Sequence, residues 1–261
     1  MSRRNPASPS PAPRPAATPV AHPRLEVSGL TVTFGGLTAL DGVDLTVGDA
    51  ETVALIGPNG AGKTTVFNAV CGLVRPAAGV VRVDGLPAPA STAGLLSRGV
   101  ARTLQGLGLF AGLTVLENVL VPATSGPRRR PGDEAEDAAR AVLGRLGLLA
   151  AASRPVDALP YPERKRVALA RALVTGPRLL LLDEPAGGLG SEDIAGLAGV
   201  VRDVVAGGCS VLLVEHHVDF VMDVADRVVV LDFGRVVASG TPDEVRADPA
   251  VESAYLGMVA A

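Results

Sequence analysis

The chain is short of aromatics, histidine and cysteine, and it has no apolar run long enough to cross a bilayer. Of 261 residues, 3% are aromatic, three are histidine and two are cysteine. Cys71 and Cys209 stand in apolar surroundings without metal-ligand spacing. They read as small core residues of a reducing compartment and give no basis for a disulfide. Hydrophobic residues make up 48% of the chain. Even so, no window approaches the ~18 consecutive apolar residues of a membrane helix, and "RLLLLDE" and "SVLLVEHH" are of strand length. The chain is therefore expected to be soluble by itself, with any membrane role borrowed from a partner. There is no surplus of positive charge either: the net charge is −3 and the 24 basic residues are scattered, which argues against nucleic acid as the main partner. Residues 1–24, "MSRRNPASPSPAPRPAATPVAHPR", lack the apolar centre of a secretory signal. Their Pro and Ala content predicts a disordered, partly extended tail.

Patterning starts at Leu25. Alternating, β-branched segments "LEVSGLTVTF", "GVDLTV" and "ETVALIG" are bounded by Gly or Asp turns, and a glycine loop and a helix from Lys63 to Cys71 follow. Strand, glycine loop and helix in that order predict a parallel-sheet nucleotide fold, and the hairpin-like strands before it predict an added antiparallel sheet. Strands resume at "GVVRVDG" and "RGVARTL". From about 105 to 173 the spacing turns helical, with Ala139, Val142, Leu143 and Leu146 on one stripe, which predicts an inserted helical subdomain. Its "PATSGPRRRPGD" loop reads as a solvated surface run. Alternation of strand and helix then returns through "PRLLLLDEP", a helix from Ser191, "CSVLLVEHH" and "RVVVLDFGRVVASG". In "TPDEV", Thr241, Pro242 and Glu244 spell a capping box. The expected class is α/β: a phosphate-loop (RecA-like) parallel-sheet core with an antiparallel β subdomain and an inserted helical subdomain, in one domain over 25–261.

"GPNGAGKTT" (Gly57, Pro58, Asn59, Gly60, Ala61, Gly62, Lys63, Thr64, Thr65) fits the phosphate-loop pattern. Its glycines allow successive N–H groups to turn inward toward phosphate oxygens at a helix N-terminus. Lys63 would reach the β- and γ-phosphates of ATP, and Thr64 would ligate Mg²⁺. Four leucines then deliver Asp183 and Glu184 to the C-terminal edge of a buried parallel strand, where ligands of such sheets bind. Asp183 would hold Mg²⁺ and Glu184 would polarise the attacking water; the bland reading is that the pair caps the next turn. His216, directly after "VLLVE", is placed to sense a γ-phosphate, or else is a surface loop residue. Gln105, after "RGVARTL", fits a residue that touches Mg²⁺ and the lytic water. Phe34 before "GG" is a candidate for stacking on a base, with a core role as the alternative.

This ordered set resembles the ATP-binding subunits of ABC transporters, covering Leu25 to the C-terminus. Within that superfamily, "FGGLTALDGVDL", "ARTLQGLGLFAGLTVLENVLV", "EHHVDFVMDVADRVVVLDFGRVVASGTPDEV" and "VESAYLG" look like the ATPases of branched-chain amino acid importers. The resemblance implies ATP hydrolysis with Mg²⁺, transmembrane permease partners, and a solute-binding protein reached only through the permease. It also implies a location in the cytoplasm at the inner face of the membrane. Rival readings are a urea- or amide-type importer and a non-transport nucleotide-gated regulator. The resemblance further implies head-to-tail pairing with a second ATPase subunit, in which a Leu-Ser-Gly-Gly-Gln signature of one subunit closes over the other's nucleotide. Here that segment is "LPYPE", Leu159 to Glu163. Pro160 and Pro162 remove a hydroxyl and two N–H donors, and Glu163 adds negative charge. Pro162 is expected as the first residue of a helix reaching Val174, leaving Tyr161, Glu163 and Arg164 as N–H donors. Gly190 and His217 stand where the family commonly has Asp or Asn and Asp. A heterodimer with unequal sites is therefore favoured over a homodimer.

Overall fold

The computed structural model describes residues 23–104, 106–125 and 129–256. Gln105 and residues 1–22 of the N-terminal segment lie outside them. Arg24, which composition groups with that segment, is tied to the structured part by ion pairs to Asp49 and Asp84.

Strands β1 (Leu25–Phe34) and β2 (Leu37–Val47) form an antiparallel hairpin. With β4 (Ala78–Val83) and β5 (Leu86–Pro87) they make a four-stranded sheet of order β2-β1-β4-β5. The alternating pattern of β1 puts Leu25, Val27, Leu30 and Val32 fully inside. A second sheet holds β3 (Thr52–Ile56), β6 (Val100–Arg102), β7 (Leu179–Asp183), β8 (Ser210–Val214), β9 (Arg227–Asp232) and β10 (Arg235–Gly240). Its order is β10-β9-β3-β8-β7-β6, parallel throughout except for the β9–β10 pair. The central strands are buried on both faces, and for that reason they read as unbroken apolar runs, not alternating ones. The phosphate-loop α/β class expected from the motif order is the observed one.

Helix α1 (Lys63–Val70) follows β3 directly, and a short α2 (Thr92–Ser97), which the sequence reading did not single out, precedes β6. Helices α3 (Val115–Thr124), α4 (Gly132–Arg145) and α5 (Tyr161–Leu173) lie between β6 and β7. Ala139, Leu143 and Leu146 of the expected stripe are buried, with Val142 packed beside them. Helix α6 (Ser191–Ala206) and α7 (Val218–Val224) flank β8, and α8 (Pro242–Arg246) and α9 (Pro249–Leu256) close the described chain. The capping box on α8 forms as its spacing predicts: Glu244 N–H donates to Thr241 Oγ1 at 3.3 Å, and Thr241 N–H donates to Glu244 Oε2 at 2.8 Å. Cys71 and Cys209 are buried free thiols, and burial pushes the Cys209 thiol up to about 11. Among the described residues no helix is long and apolar enough to cross a membrane.

This topology gathers the chemistry at one edge. β3, β8, β7 and β6 are parallel neighbours, so the loops that leave their C-terminal ends lie side by side, with strands about 4.8 Å apart. Leu55 of β3 and Asp183 of β7 both pair with Val214 of β8. The glycine loop, Glu184 and His216 therefore leave the sheet at the same level.

Candidate active site

Between Ile56 and Lys63 the backbone takes positive φ at Gly57 (149°), Gly60 (82°) and Gly62 (105°). A side chain at Gly57 would run into the Leu231 carbonyl, and one at Gly62 into Leu40 and the Ala39 carbonyl, so the loop is fitted tightly to its own protein on that side. Pro58 and Ala61 are buried while Asn59 and Gly60 are exposed. Ala61 anchors the loop by accepting the Gly234 N–H at 2.9 Å. Helix α1 has neither a side-chain cap nor an acidic residue in its first turn. Its opening N–H groups, with Thr64 exposed and Thr65 half-buried beside them, are thus open to an anion. Lys63 is 8% exposed and folds back, donating to Gly57 O (2.7 Å) and Pro58 O (2.9 Å). Burial lowers the proton affinity of its ammonium, and the Glu184 charge works against that shift.

At the end of β7, Asp183 is half-buried, and its N–H donates to Thr103 Oγ1 at 3.3 Å. Burial, then the Glu184 and Glu215 charges, raise its proton affinity, while Arg102 opposes them. Glu184 sits at φ 47°, a left-handed conformation rare for a residue with a side chain, and its N–H donates to Val214 O at 2.9 Å. His216 Nδ1 lies 4.0 Å from Glu184 Oε1, so the predicted water-polarising carboxylate and the predicted sensor face each other. The Asp183 carboxylate, whose charged form is penalised by burial and by the nearby Glu184 and Glu215 charges, fits a cation, as does the hydroxyl oxygen of Thr64. Among the described residues no cluster of three or more His, Cys, Asp or Glu could hold a metal alone. Phe34 is 50% exposed at the tip of the β1–β2 hairpin, not in the core. Gln105 lies outside the described residues; its neighbour Thr103 reaches Asp183.

The "LPYPE" segment departs from expectation in two details. Helix α5 begins at Tyr161, not Pro162, so Pro160 is its N-cap and Pro162 its second residue, and the helix ends at Leu173 with Val174 as cap. Both prolines occupy positions whose N–H would have no partner within the helix, which is why the helix tolerates them. The Arg164 N–H, expected to be available, instead donates to Pro160 O at 3.0 Å. Only Tyr161 and Glu163 remain as first-turn donors, beside the Glu163 carboxylate. Gly190 and His217 are the N-caps of α6 and α7, and neither makes a side-chain cap hydrogen bond.

Three features escaped the sequence reading. Glu215 is completely buried and accepts three backbone N–H groups from the loops after β7 and β8. The signal was an acid that ends the apolar run "SVLLV". Lys165 of α5 donates to Glu184 O (2.9 Å) and Pro185 O (2.8 Å), and its ammonium lies 5.6 Å over the Tyr161 ring. Gly188, at φ 72°, makes room for that ring, because a Cβ there would meet Tyr161 Cε1 at 3.0 Å. A cavity of about 290 Å³ lies behind the loop, lined by Asp183, Glu184, Pro162, Lys165 and Leu197 among others.

A glycine loop leading into a helix at the C-terminal edge of a parallel sheet is the arrangement of phosphate-loop nucleotide-binding folds. The ABC transporter family matches residues 40–187, and the branched-chain amino acid ATP-binding cassette transporter family matches residues 235–257. The chain belongs to the ABC transporter ATP-binding subunits, which are ATPases. It is 39% identical over 253 residues to the high-affinity branched-chain amino acid transport ATP-binding protein BraF of Pseudomonas aeruginosa, covering 91% of this chain and 99% of BraF. To LivG of Escherichia coli K12, which carries the same description, it is 38% identical over 257 residues, covering 91% and 99%. Among solved structures it is similar to the ADP conformation of MJ1267, an ATP-binding cassette of an ABC transporter (TM-score 0.81, 28% identity, 90% of this chain and 99% of that one). It is also similar to the dimeric MJ0796 cassette (TM-score 0.75, 26% identity, 84% and 98%).

Proposed function

We propose that this chain drives import of branched-chain or other hydrophobic amino acids, working from the cytoplasmic face of the membrane against transmembrane permease subunits. The observation that carries the substrate class is the match of both the cassette and its C-terminal segment, 235–257, to branched-chain amino acid transport ATPases. A solute-binding protein would act on it only through the permease.

In this reading Gly57–Gly62 and the start of α1 bind the phosphates of ATP with backbone N–H groups. Lys63 exchanges its bonds to Gly57 O and Pro58 O for the β- and γ-phosphates, a local swing that leaves the loop's glycine geometry in place. Thr64, Asp183 and Gln105 would hold Mg²⁺, which neutralises phosphate charge and acts as a Lewis acid. Glu184 accepts a hydrogen bond from the attacking water and fixes its direction, and His216 donates to the γ-phosphate. Phe34, exposed beside the cradle's hairpin, stacks on the base.

For the permease, the fitting surface is the groove of about 190 Å³ lined by Leu95, Leu96, Thr103, Leu107, Pro122 and Arg171. Phe110 is 44% exposed at its side, with the Arg171 guanidinium 4.8 Å over its ring. Leu109 packs inward instead. With both prolines in the first turn of α5, the second ATPase subunit is best a different chain whose intact signature closes over Lys63, Glu184 and His216.

Reconstitution with its permease, partner ATPase and binding protein in vesicles tests the substrate class. Leucine, isoleucine or valine should be taken up only with ATP, and competition by urea or acetamide should be absent. Uptake of urea with no uptake of leucine would overturn the reading.

A further inference from the structure

The carboxylate of Glu215 has no part in nucleotide binding as described, and among the described residues it is the one acidic side chain with no exposed surface. Its Oε1 accepts the Ala186 N–H at 2.7 Å. Its Oε2 accepts the N–H groups of His216 (2.8 Å) and His217 (2.9 Å). Ala186 lies two residues after Glu184, and His216 is the next residue in the chain. One side chain thus holds the loop after β7 with one oxygen and the loop after β8 with the other. Each bond is charge-assisted, the strong kind, in a site closed to water. Across the same loop, Lys165 holds the carbonyls of Glu184 and Pro185, and the Glu215 and Glu184 charges favour its ammonium form against the cost of burial.

We propose that Glu215 is a positioning residue for hydrolysis: it fixes Glu184 and His216 relative to each other by clamping their two loops, without touching nucleotide. This inference rests on the reading of Glu184 as the water-orienting group and His216 as the γ-phosphate contact. The left-handed φ of Glu184 is a conformation that surroundings must impose, and the bond to Ala186 spans the turn that contains it. A carboxylate suits the task because it offers only acceptors, two oxygens with about four lone-pair sites, to three donors. Glutamine has one such oxygen. With it kept on the two histidine N–H groups, the amide NH₂ would face the Ala186 N–H and release the Glu184 loop. Aspartate keeps the charge but is one methylene too short to reach both loops.

The test compares Glu215→Gln, Glu215→Asp, Glu184→Gln and the Glu184→Gln/Glu215→Gln pair in the assembled transporter, with ATP turnover, KM for ATP and thermal midpoint read for each. Expected is a kcat about 10- to 100-fold lower in either Glu215 variant, the loss typical of a misplaced reacting group. KM for ATP should stay within about threefold of wild type, because the cradle is untouched. In the Glu184→Gln background the second change should lower the residual rate less than about twofold, since the group it positions is gone. A merely structural role would move the thermal midpoint and KM together and would add fully in the pair; that result overturns the proposal. So does a kcat within twofold of wild type in a folded Glu215 variant, provided Glu184→Gln itself stops turnover. If Glu184→Gln hydrolyses normally, the underlying reading fails instead. Should neither Glu215 variant fold, amide hydrogen exchange of wild type decides: Ala186, His216 and His217 must exchange slowly and together, and exchange at open-loop rates overturns the clamp.

Discussion

Helices α1 and α5 both begin without a side-chain cap, yet only one of them is built to receive an anion. Before α1, Gly62 turns left-handed, no acid follows in the first turn, and the backbone N–H groups of Lys63, Thr64 and Thr65 are all present. Before α5 stands Pro160, the second residue is Pro162, and Glu163 brings a carboxylate into the first turn. The helix dipole is similar at both ends, so the difference lies in donors and local charge. Helices α3 and α8 show the opposite solution: Thr114 with Glu117, and Thr241 with Glu244, close capping boxes that each pair two of the opening N–H groups within the chain and place a carboxylate there. An uncapped end signals a ligand only when its donors survive.

The largest effect expected from breaking this contrast is at the intact end. Lys63→Ala should lower ATP turnover ~10²- to 10³-fold, the usual cost of one transition-state donor. Its native bonds go to loop carbonyls, so stability should fall by only about 1 kcal/mol. Turnover and thermal midpoint measured side by side check this; wild-type turnover in the variant would sink the role of Lys63.

Why the α1 end was legible and the α5 end only half so is a matter of where each function is written. Glycine, lysine and threonine at fixed spacing act through backbone that follows directly from sequence, and the parallel sheet then brings Asp183, Glu184 and His216 to the same edge by register alone. At α5 the missing donors could be counted from "LPYPE", but the helix start at Tyr161 and the loss of the Arg164 N–H to Pro160 depend on a boundary that spacing does not fix to one residue. Glu215, Lys165 and the Tyr161 ring on Gly188 are contacts between elements far apart in sequence, and no local pattern announces them. Gln105 was read by its place after a strand and lies outside the described residues.

A smaller change should come from restoring donors at the damaged end. Charge-assisted bonds contribute about 1.5–3 kcal/mol each, so the loss of even two of the three donors missing from "LPYPE" corresponds to ~100-fold or more in ATP-driven closure of the site this segment faces. Steady-state ATPase of this chain alone should therefore be weak, and addition of the partner ATPase should raise it sharply. Pro160→Ser with Pro162→Gly should raise turnover of the lone chain toward that of the pair. Robust, cooperative hydrolysis by the unmodified homodimer would defeat the unequal-site picture.

The smallest effect belongs to the self-capped ends, which should answer to pH and not to nucleotide. In the α3 box the Glu117 N–H donates to Thr114 Oγ1 at 3.2 Å, while Thr114 N–H (2.7 Å) and its hydroxyl (2.8 Å) donate to Glu117 Oε2. Those bonds hold the Glu117 carboxyl below its ordinary range, and the Thr241 bonds do the same for Glu244. A carboxyl whose folded value is depressed contributes stability that is fully present above its unfolded value and is lost as pH falls through the folded one. Both boxes should thus hold at neutral pH and weaken from about pH 5 downward. Thr114→Ala removes the hydroxyl, which both donates to Glu117 Oε2 and accepts the Glu117 N–H, but keeps the backbone N–H that contributes most to the shift, so it should lower the thermal midpoint modestly at neutral pH. The difference from wild type should shrink in acid, where Glu117 is protonated in both proteins. Thermal midpoints followed from pH 7 down to about pH 3 measure this directly, with ATP affinity at pH 7 as the control. A cost that stayed constant with pH would mean that the threonine acts through packing, and a loss of ATP affinity would mean that α3 is not separate from the nucleotide end after all.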